Sequence, residues 1–141
     1  DTLHKEQGPI KNYRYFFSKF CNVLVTPLSS KGNLYTFGLL PWTHLIIWPG
    51  KGIVLINYLP KNINQCIIEI KLASASLCEN DLENWEKSIL EFLGEDKIIV
   101  ESVHKSYLEN FKLGPPNRLE QRILHWQNIY KEFLNASGIS F

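Results

Sequence analysis

The spacing of apolar residues changes period once along the chain, near Ser76, and that switch limits the fold more than any other feature. Before it, short runs rich in β-branched and aromatic residues are punctuated by proline, glycine and serine. Residues 21–26 end at Pro27 and Ser29-Ser30, residues 34–39 close at Pro41, Thr43–Trp48 stops at Pro49-Gly50-Lys51-Gly52, and residues 53–59 end at Pro60-Lys61-Asn62. Residues 66–76 alternate, with Ile68, Ile70 and Leu72 on one side and Glu69 and Lys71 on the other. A two-residue period bounded by turn residues is the pattern of a half-buried strand. A succession of such strands joined by short turns predicts an antiparallel meander.

After Ser76 the period is helical. Leu82, Trp85, Ile89 and Phe92-Leu93 share one helical face, with Asn80 or Asp81 expected to cap the start and Gly94 to end the segment. Residues 95–108 predict a second helix carrying Ile99, Val103 and Tyr107 on one side, broken at Gly114-Pro115-Pro116. Asn117 with Glu120 three residues on reads as a capping box for a last helix, whose apolar stripe is Leu119, Ile123, Trp126, Tyr130 and Phe133-Leu134. Strands over 20–76 and helices over 79–134 make an α+β plan in one domain spanning 20–141, with residues 1–19 unassigned. A sheet face beneath a long final helix is a natural place for a small-molecule pocket.

Composition narrows the function classes. The chain has 141 residues, 45% apolar and 13% aromatic, enough for one globular core. Its net charge of +1 argues against nucleic acid or an anionic membrane surface as partner. Apolar runs such as Leu45-Ile46-Ile47-Trp48 are too short to span a bilayer. With no basic, apolar leader in view, a cytoplasmic location is expected. The start at Asp1 and the lack of any Met point to a processed or partial product. Cys21, Cys66 and Cys78 are widely spaced and form no Cys-x-x-Cys, so free thiols are expected in place of a cluster or structural zinc.

Three stretches together resemble the catalytic domain of Rieske-type non-haem iron (ring-hydroxylating) oxygenase α subunits. The first, Glu95-Asp96-Lys97-Ile98-Ile99-Val100-Glu101-Ser102-Val103-His104, is similar to the family's Glu-Asp-x-x-(Ile/Val)-x-Glu-x-Val-Gln segment. The second, over 35–60, contains Trp42-Thr43-His44-Leu45 and is similar to the family's Phe-Pro-Asn strand and the following strand that ends in Pro. The third, Gly114-Pro115 followed by Glu120 and His125-Trp126-Gln127-Asn128-Ile129-Tyr130, resembles the family's Gly-Pro linker and closing helix. The likeness spans roughly residues 34–134. It implies a helix-grip fold (Bet v 1/START-like), in an incomplete version.

It also implies chemistry. The family holds Fe(II) by two histidines and a carboxylate, which leaves positions open for O2. Matched residue by residue, the carboxylate falls on Asp96, expected to open a helix just after Gly94; read from the residues alone, Asp96 simply complements the positive end of that helix. The family's His-x4-His is absent, and His4 is the one candidate for a member of such a pair, its mate lying before Asp1. Otherwise His4 is a solvated residue of a terminus. His44 takes the family's Asn position and, with Trp42 and Phe37, would line a substrate pocket; the plainer alternative is a strand histidine satisfied by neighbours. Glu101 and His104 would support the iron region from outside the ligand set. His125 reads as a packing or solvent-facing residue of the last helix, and Trp126 and Tyr130 as packing residues.

The 2Fe–2S cluster that feeds electrons to the iron would come from a further domain or a partner chain, and a reductase or ferredoxin would be the family's electron donor. The expected function is therefore O2-dependent hydroxylation or demethylation of a small hydrophobic or aromatic substrate, by a segment inactive when alone. A rival reading is a non-catalytic helix-grip binding module without iron. A third is a piece stable only as a homo-oligomer, because an incomplete fold exposes a sheet edge and apolar surface.

Overall fold

The computed structural model describes residues 7–29, 32–76, 78–109, 114, 117 and 120–138. Six strands follow a short 3-10 turn at Ile10–Asn12: β1 Arg14–Phe17, β2 Cys21–Pro27, β3 Asn33–Leu39, β4 Thr43–Trp48, β5 Gly52–Asn62 and β6 Gln65–Ser74. Two helices complete the chain, α1 Glu79–Leu108 and α2 Gln121–Ala136. Every strand pairs antiparallel with the next, so the spatial order is β1-β2-β3-β4-β5-β6, the meander expected from alternation. β1 lies in the segment that the sequence left unassigned. Its four residues, Arg-Tyr-Phe-Phe, are too few and too uniformly aromatic to show an alternation.

Register decides which side chains share a face. Phe17, Asn22, Gly38, His44, Ile56 and Ile70 stand opposite one another in a row across all six strands. The same face carries Leu34, Ile46, Trp48 and Val54, which are buried with Ile56 against Trp85 and Ile89 of α1. The Trp48 and Trp85 rings meet edge to face at 5.7 Å, and the Lys51 ammonium sits 4.0 Å above the Trp48 ring. This side is the inner face. On the other face a polar ladder crosses three strands. Thr43 donates to Asn57 at 2.8 Å, Asn57 donates to Glu69 at 2.8 Å, and Lys71 lies 3.6 Å from Glu69.

Two helix boundaries differ from the sequence-based expectation. Gly94 does not end a helix, and Asp96 does not open one: α1 runs unbroken for 30 residues. Gly94 is exposed, has nothing within 4 Å of its Cβ position and keeps a negative φ. A glycine on the solvent side of a helix costs about 1 kcal/mol, which packing of the opposite face readily overcomes. Asn80 and Asp81 are not caps either. The N-cap is Cys78, and Glu79 and Asp81 place their charge within the first turn, at the positive end of the helix. At α2 the N-cap is Glu120 and not the expected Asn117, although the Glu120 carboxylate does accept a hydrogen bond from the Asn117 backbone N–H. Leu119 lies outside the described residues, and Ile123 and Phe133 are exposed; the helix buries Ile129 in their place.

Ile89 is fully buried, whereas Ile98 on the same helix is 72% exposed. Ile89→Ala is expected to lower the unfolding free energy by about 2–5 kcal/mol, and Ile98→Ala to change it by less than about 0.5 kcal/mol, as read by urea unfolding followed by far-UV circular dichroism.

Candidate functional site

The inner face is shared by two helices that approach from different sides. α1 covers the Trp48 end and then follows the β5–β6 hairpin, where the His104 ring nitrogen Nε2 meets Asn64 Oδ1 at 3.2 Å. α2 covers the opposite end. Its Tyr130 hydroxyl donates to the Pro41 carbonyl at 3.3 Å, and Phe133 stacks on Phe20 at 6.2 Å. Between them, on the strands, stand His44 and Tyr58.

A glycine makes the close approach of α2 possible. Gly38 sits in the row between Asn22 and His44. A Cβ there would come within 2.8 Å of Asn22 Oδ1, 3.1 Å of Trp126 Nε1 and 3.2 Å of Arg122 Nη2. Only a residue without a side chain lets three polar groups converge on the strand. The polar chain they belong to is continuous. Arg122 Nε donates to Asn22 Oδ1 at 2.6 Å; Asn22 Nδ2 lies 3.3 Å from His125 Nδ1; His125 Nε2 lies 2.9 Å from the Ser18 carbonyl. A carbonyl only accepts, so Nε2 carries the ring hydrogen and Nδ1 accepts from Asn22. Asn22 is 1% exposed, and each side-chain group it buries has a partner in this chain. Arg122 Nη2 is buried with no hydrogen-bond partner among the described residues.

His44 lies beside this network. Its ring meets Tyr58 edge-on at 5.5 Å and Trp126 at 6.4 Å. Burial, and then the nearby Arg122 guanidinium, push its pKa down to about 4, so it is an uncharged imidazole at neutral pH. Asp96 on α1 lies within electrostatic reach of Tyr58. Asp96 follows the buried Ile89 by seven residues on the unbroken α1 and so shares its sheet-facing side; burial raises the Tyr58 phenol above its usual range, and the Asp96 carboxylate raises it further. Asp96 is half-buried. A phenol and an uncharged imidazole thus meet between the helices, within electrostatic reach of a carboxylate, with an indole and a guanidinium on the imidazole's other flank.

The remaining expected site residues are dispersed. Phe37 pairs with Val23 and Leu45 and so lies on the outer face, away from His44. Trp42 is 44% exposed in the β3–β4 turn, where its carbonyl accepts from the Tyr58 N–H. Glu101 forms an exposed i,i+4 ion pair with Lys97 at 3.7 Å, and His104 reaches the hairpin tip instead of the Asp96 region. His4 lies outside the described residues. Clefts flank the gap without including it. One of about 260 Å³ is lined by Ile70, Leu72, Leu82, Glu86, Ile89 and Leu90, and one of about 290 Å³ lies around Lys51, Asn84 and Trp85. Sequence reasoning passed over Asn22, Gly38, Tyr58 and Arg122. Two signals were there: an asparagine inside an apolar strand and a glycine inside the next.

Among the described residues, no three His, Cys, Asp or Glu side chains gather closely enough to hold a metal ion, and no helix is long and apolar enough to cross a membrane. Comparison with models of known families, with curated proteins and with solved structures finds no match to the chain.

The depressed pKa of His44 has a consequence for stability. In the unfolded chain the imidazole titrates near pH 6.5, so as pH falls from about 6.5 to about 4 the unfolded state gains a proton that the folded state does not. Stability is expected to fall across that window by up to about 3 kcal/mol, and the fall should flatten in His44→Gln. Urea midpoints against pH check this, with the His44 ring signal followed by NMR. A His44 midpoint near 6.5 would contradict the burial described.

Proposed function

We propose that the chain is the sheet-and-helix portion of a non-haem iron oxygenase catalytic domain, in helix-grip form, with Asp96 as its carboxylate ligand. The observation that supports this reading is the rotation of α1: Asp96 shares the face of Ile89, which packs on the sheet, and its charge reaches Tyr58, whose ring meets the uncharged His44. A deprotonated carboxylate and an uncharged imidazole are both competent donors to Fe(II). They fall short of a two-histidine, one-carboxylate set, and among the described residues no third donor joins them. The donors present therefore do not by themselves fit a complete iron site. What the chain's own residues supply is a cluster of aromatic and polar side chains around His44. Tyr58 and Trp126 would offer aromatic rings to a small hydrophobic or aromatic substrate, and α2 seats close against Gly38 beside them. The histidine ligands, a 2Fe–2S cluster and a reductase or ferredoxin belong to this proposal as parts supplied from elsewhere.

The same incompleteness favours a second reading, a helix-grip module that binds a hydrophobic molecule without iron. Titration of the purified chain with Fe(II) under anaerobic conditions separates the two. The oxygenase reading expects binding that weakens at least about tenfold in Asp96→Ala and is unchanged in Asp81→Ala, an exposed carboxylate on the same helix. Equal Fe(II) affinity of the parent chain and Asp96→Ala would remove Asp96 from the site. Binding of a planar aromatic probe that persists with metal chelated would favour the second reading.

A further inference from the structure

The two edges of the sheet are unlike. β1 is four residues long, a short edge that offers little to pair with. β6 is ten residues long, and among the described residues no strand pairs with its outer side. Residues 65–69 are all exposed, Ile67 at 55% and Ile68 at 42%. A long, apolar, unpaired edge presents a row of free N–H and C=O groups, which most proteins cover or blunt. The order of residues on this edge indicates what covers it.

From 67 to 73 the strand reads Ile-Ile-Glu-Ile-Lys-Leu-Ala, which complements itself when reversed about Ile70. A two-fold axis through Ile70, perpendicular to the sheet, would set β6 antiparallel to β6 of a second copy. Glu69 then faces Lys71 of that copy and Lys71 faces its Glu69, on the outer face. On the inner face Ile68 faces the copy's Leu72, and Ile70 faces its own equivalent. Neighbouring registers that keep the faces matched fail. Centring on residue 69 sets Glu69 against Glu69, and centring on 71 sets Lys71 against Lys71, both unfavourable directly across strands. The inner face beside this edge is also poorly covered. Leu82 is 38% exposed and Leu90 53%, and with Ile70 and Leu72 they line the open cleft between α1 and the edge. A second copy's sheet and α1 would approach that apolar surface from the other side of the axis.

We propose that β6 is a dimerisation edge, pairing antiparallel with β6 of a second copy about Ile70 to give one continuous twelve-stranded sheet. An isologous contact of this kind closes on itself and leaves only the short β1 edges at the ends. The inference is independent of the iron reading, since neither Asp96 nor His44 takes part.

Sedimentation of the full chain and its charge variants tests it. The parent chain is expected to be a dimer. Glu69→Lys and Lys71→Glu each turn two attractive cross-strand pairs into two repulsive ones and should weaken dimerisation by about tenfold or more. An equimolar mixture of the two single variants should regain the parent's dimer affinity as a heterodimer, and the double variant Glu69→Lys/Lys71→Glu should regain it alone. Both side chains are exposed, so the fold is expected to persist, and far-UV circular dichroism confirms it. Should one single variant fail to fold, the double variant still decides between the outcomes. A monomeric parent chain, an assembly indifferent to either reversal, or a double variant no tighter than the singles would each overturn the proposal.

Discussion

The packing of Trp85 and Ile89 onto Trp48, Val54 and Ile56 is the contact on which the rest of the structure depends. These side chains are nearly sealed from water, and they fix how α1 is rotated about its own axis. Rotation is what matters for chemistry. Asp96 follows Ile89 by seven residues, about 20° short of two full turns, so whatever face Ile89 presents Asp96 presents too. Burying one isoleucine therefore aims the carboxylate at the sheet, where its charge is felt by Tyr58. The residues that carry the candidate site are positioned by residues that carry none of it.

α2 is held in a different way. Its contacts with the strands are largely polar and aromatic: a hydrogen-bonded chain from Arg122 through Asn22 and His125 to Ser18, rings against Phe17, Phe20 and His44, and a hydroxyl on Pro41. Buried polar chains of this kind specify position strongly, because a displaced member leaves its partner unsatisfied. One consequence falls on His44. The guanidinium that anchors α2 also helps to keep that imidazole uncharged, so the network that seats the helix sets the chemistry of the neighbouring group.

The strands were legible in the sequence because alternation and turn residues are local signals. The expected Thr43–Trp48 is β4 as found, and the expected strands over 21–26, 34–39, 53–59 and 66–76 match β2, β3, β5 and β6 to within a few residues at their ends. The α+β order followed from the single change of period. Gly94 misled because glycine marks a helix end only when φ is positive or a neighbour crowds in, and the sequence reports neither. The site was harder. Asp96 was singled out by resemblance, and its inward aim depends on a heptad relation to Ile89 that becomes meaningful only once α1 is continuous. Phe37 and His44 were grouped as pocket residues although their separation by seven residues spans a turn, and register sends them to opposite faces. Arg122 and Asn22 are 100 residues apart and meet only through the tertiary fold.

The stripe that begins with Trp85 and Ile89 continues past the covered part of the sheet as Ile99, Val103 and Tyr107, which are 63%, 44% and 51% exposed. The helix is thus amphipathic beyond the surface it uses here, and Asp96 lies at the boundary between its covered and uncovered halves. The Asp96 carboxylate, on the Ile89 side of α1, lies within electrostatic reach of Tyr58. Tyrosine ring-carbon labelling and an NMR pH titration, on the parent chain and on Asp96→Asn, test it most directly. The Tyr58 phenol is expected to titrate above the usual tyrosine range in the parent, and at a lower pH when the carboxylate is neutralised. An identical midpoint in the two proteins would mean that Asp96 does not face the sheet.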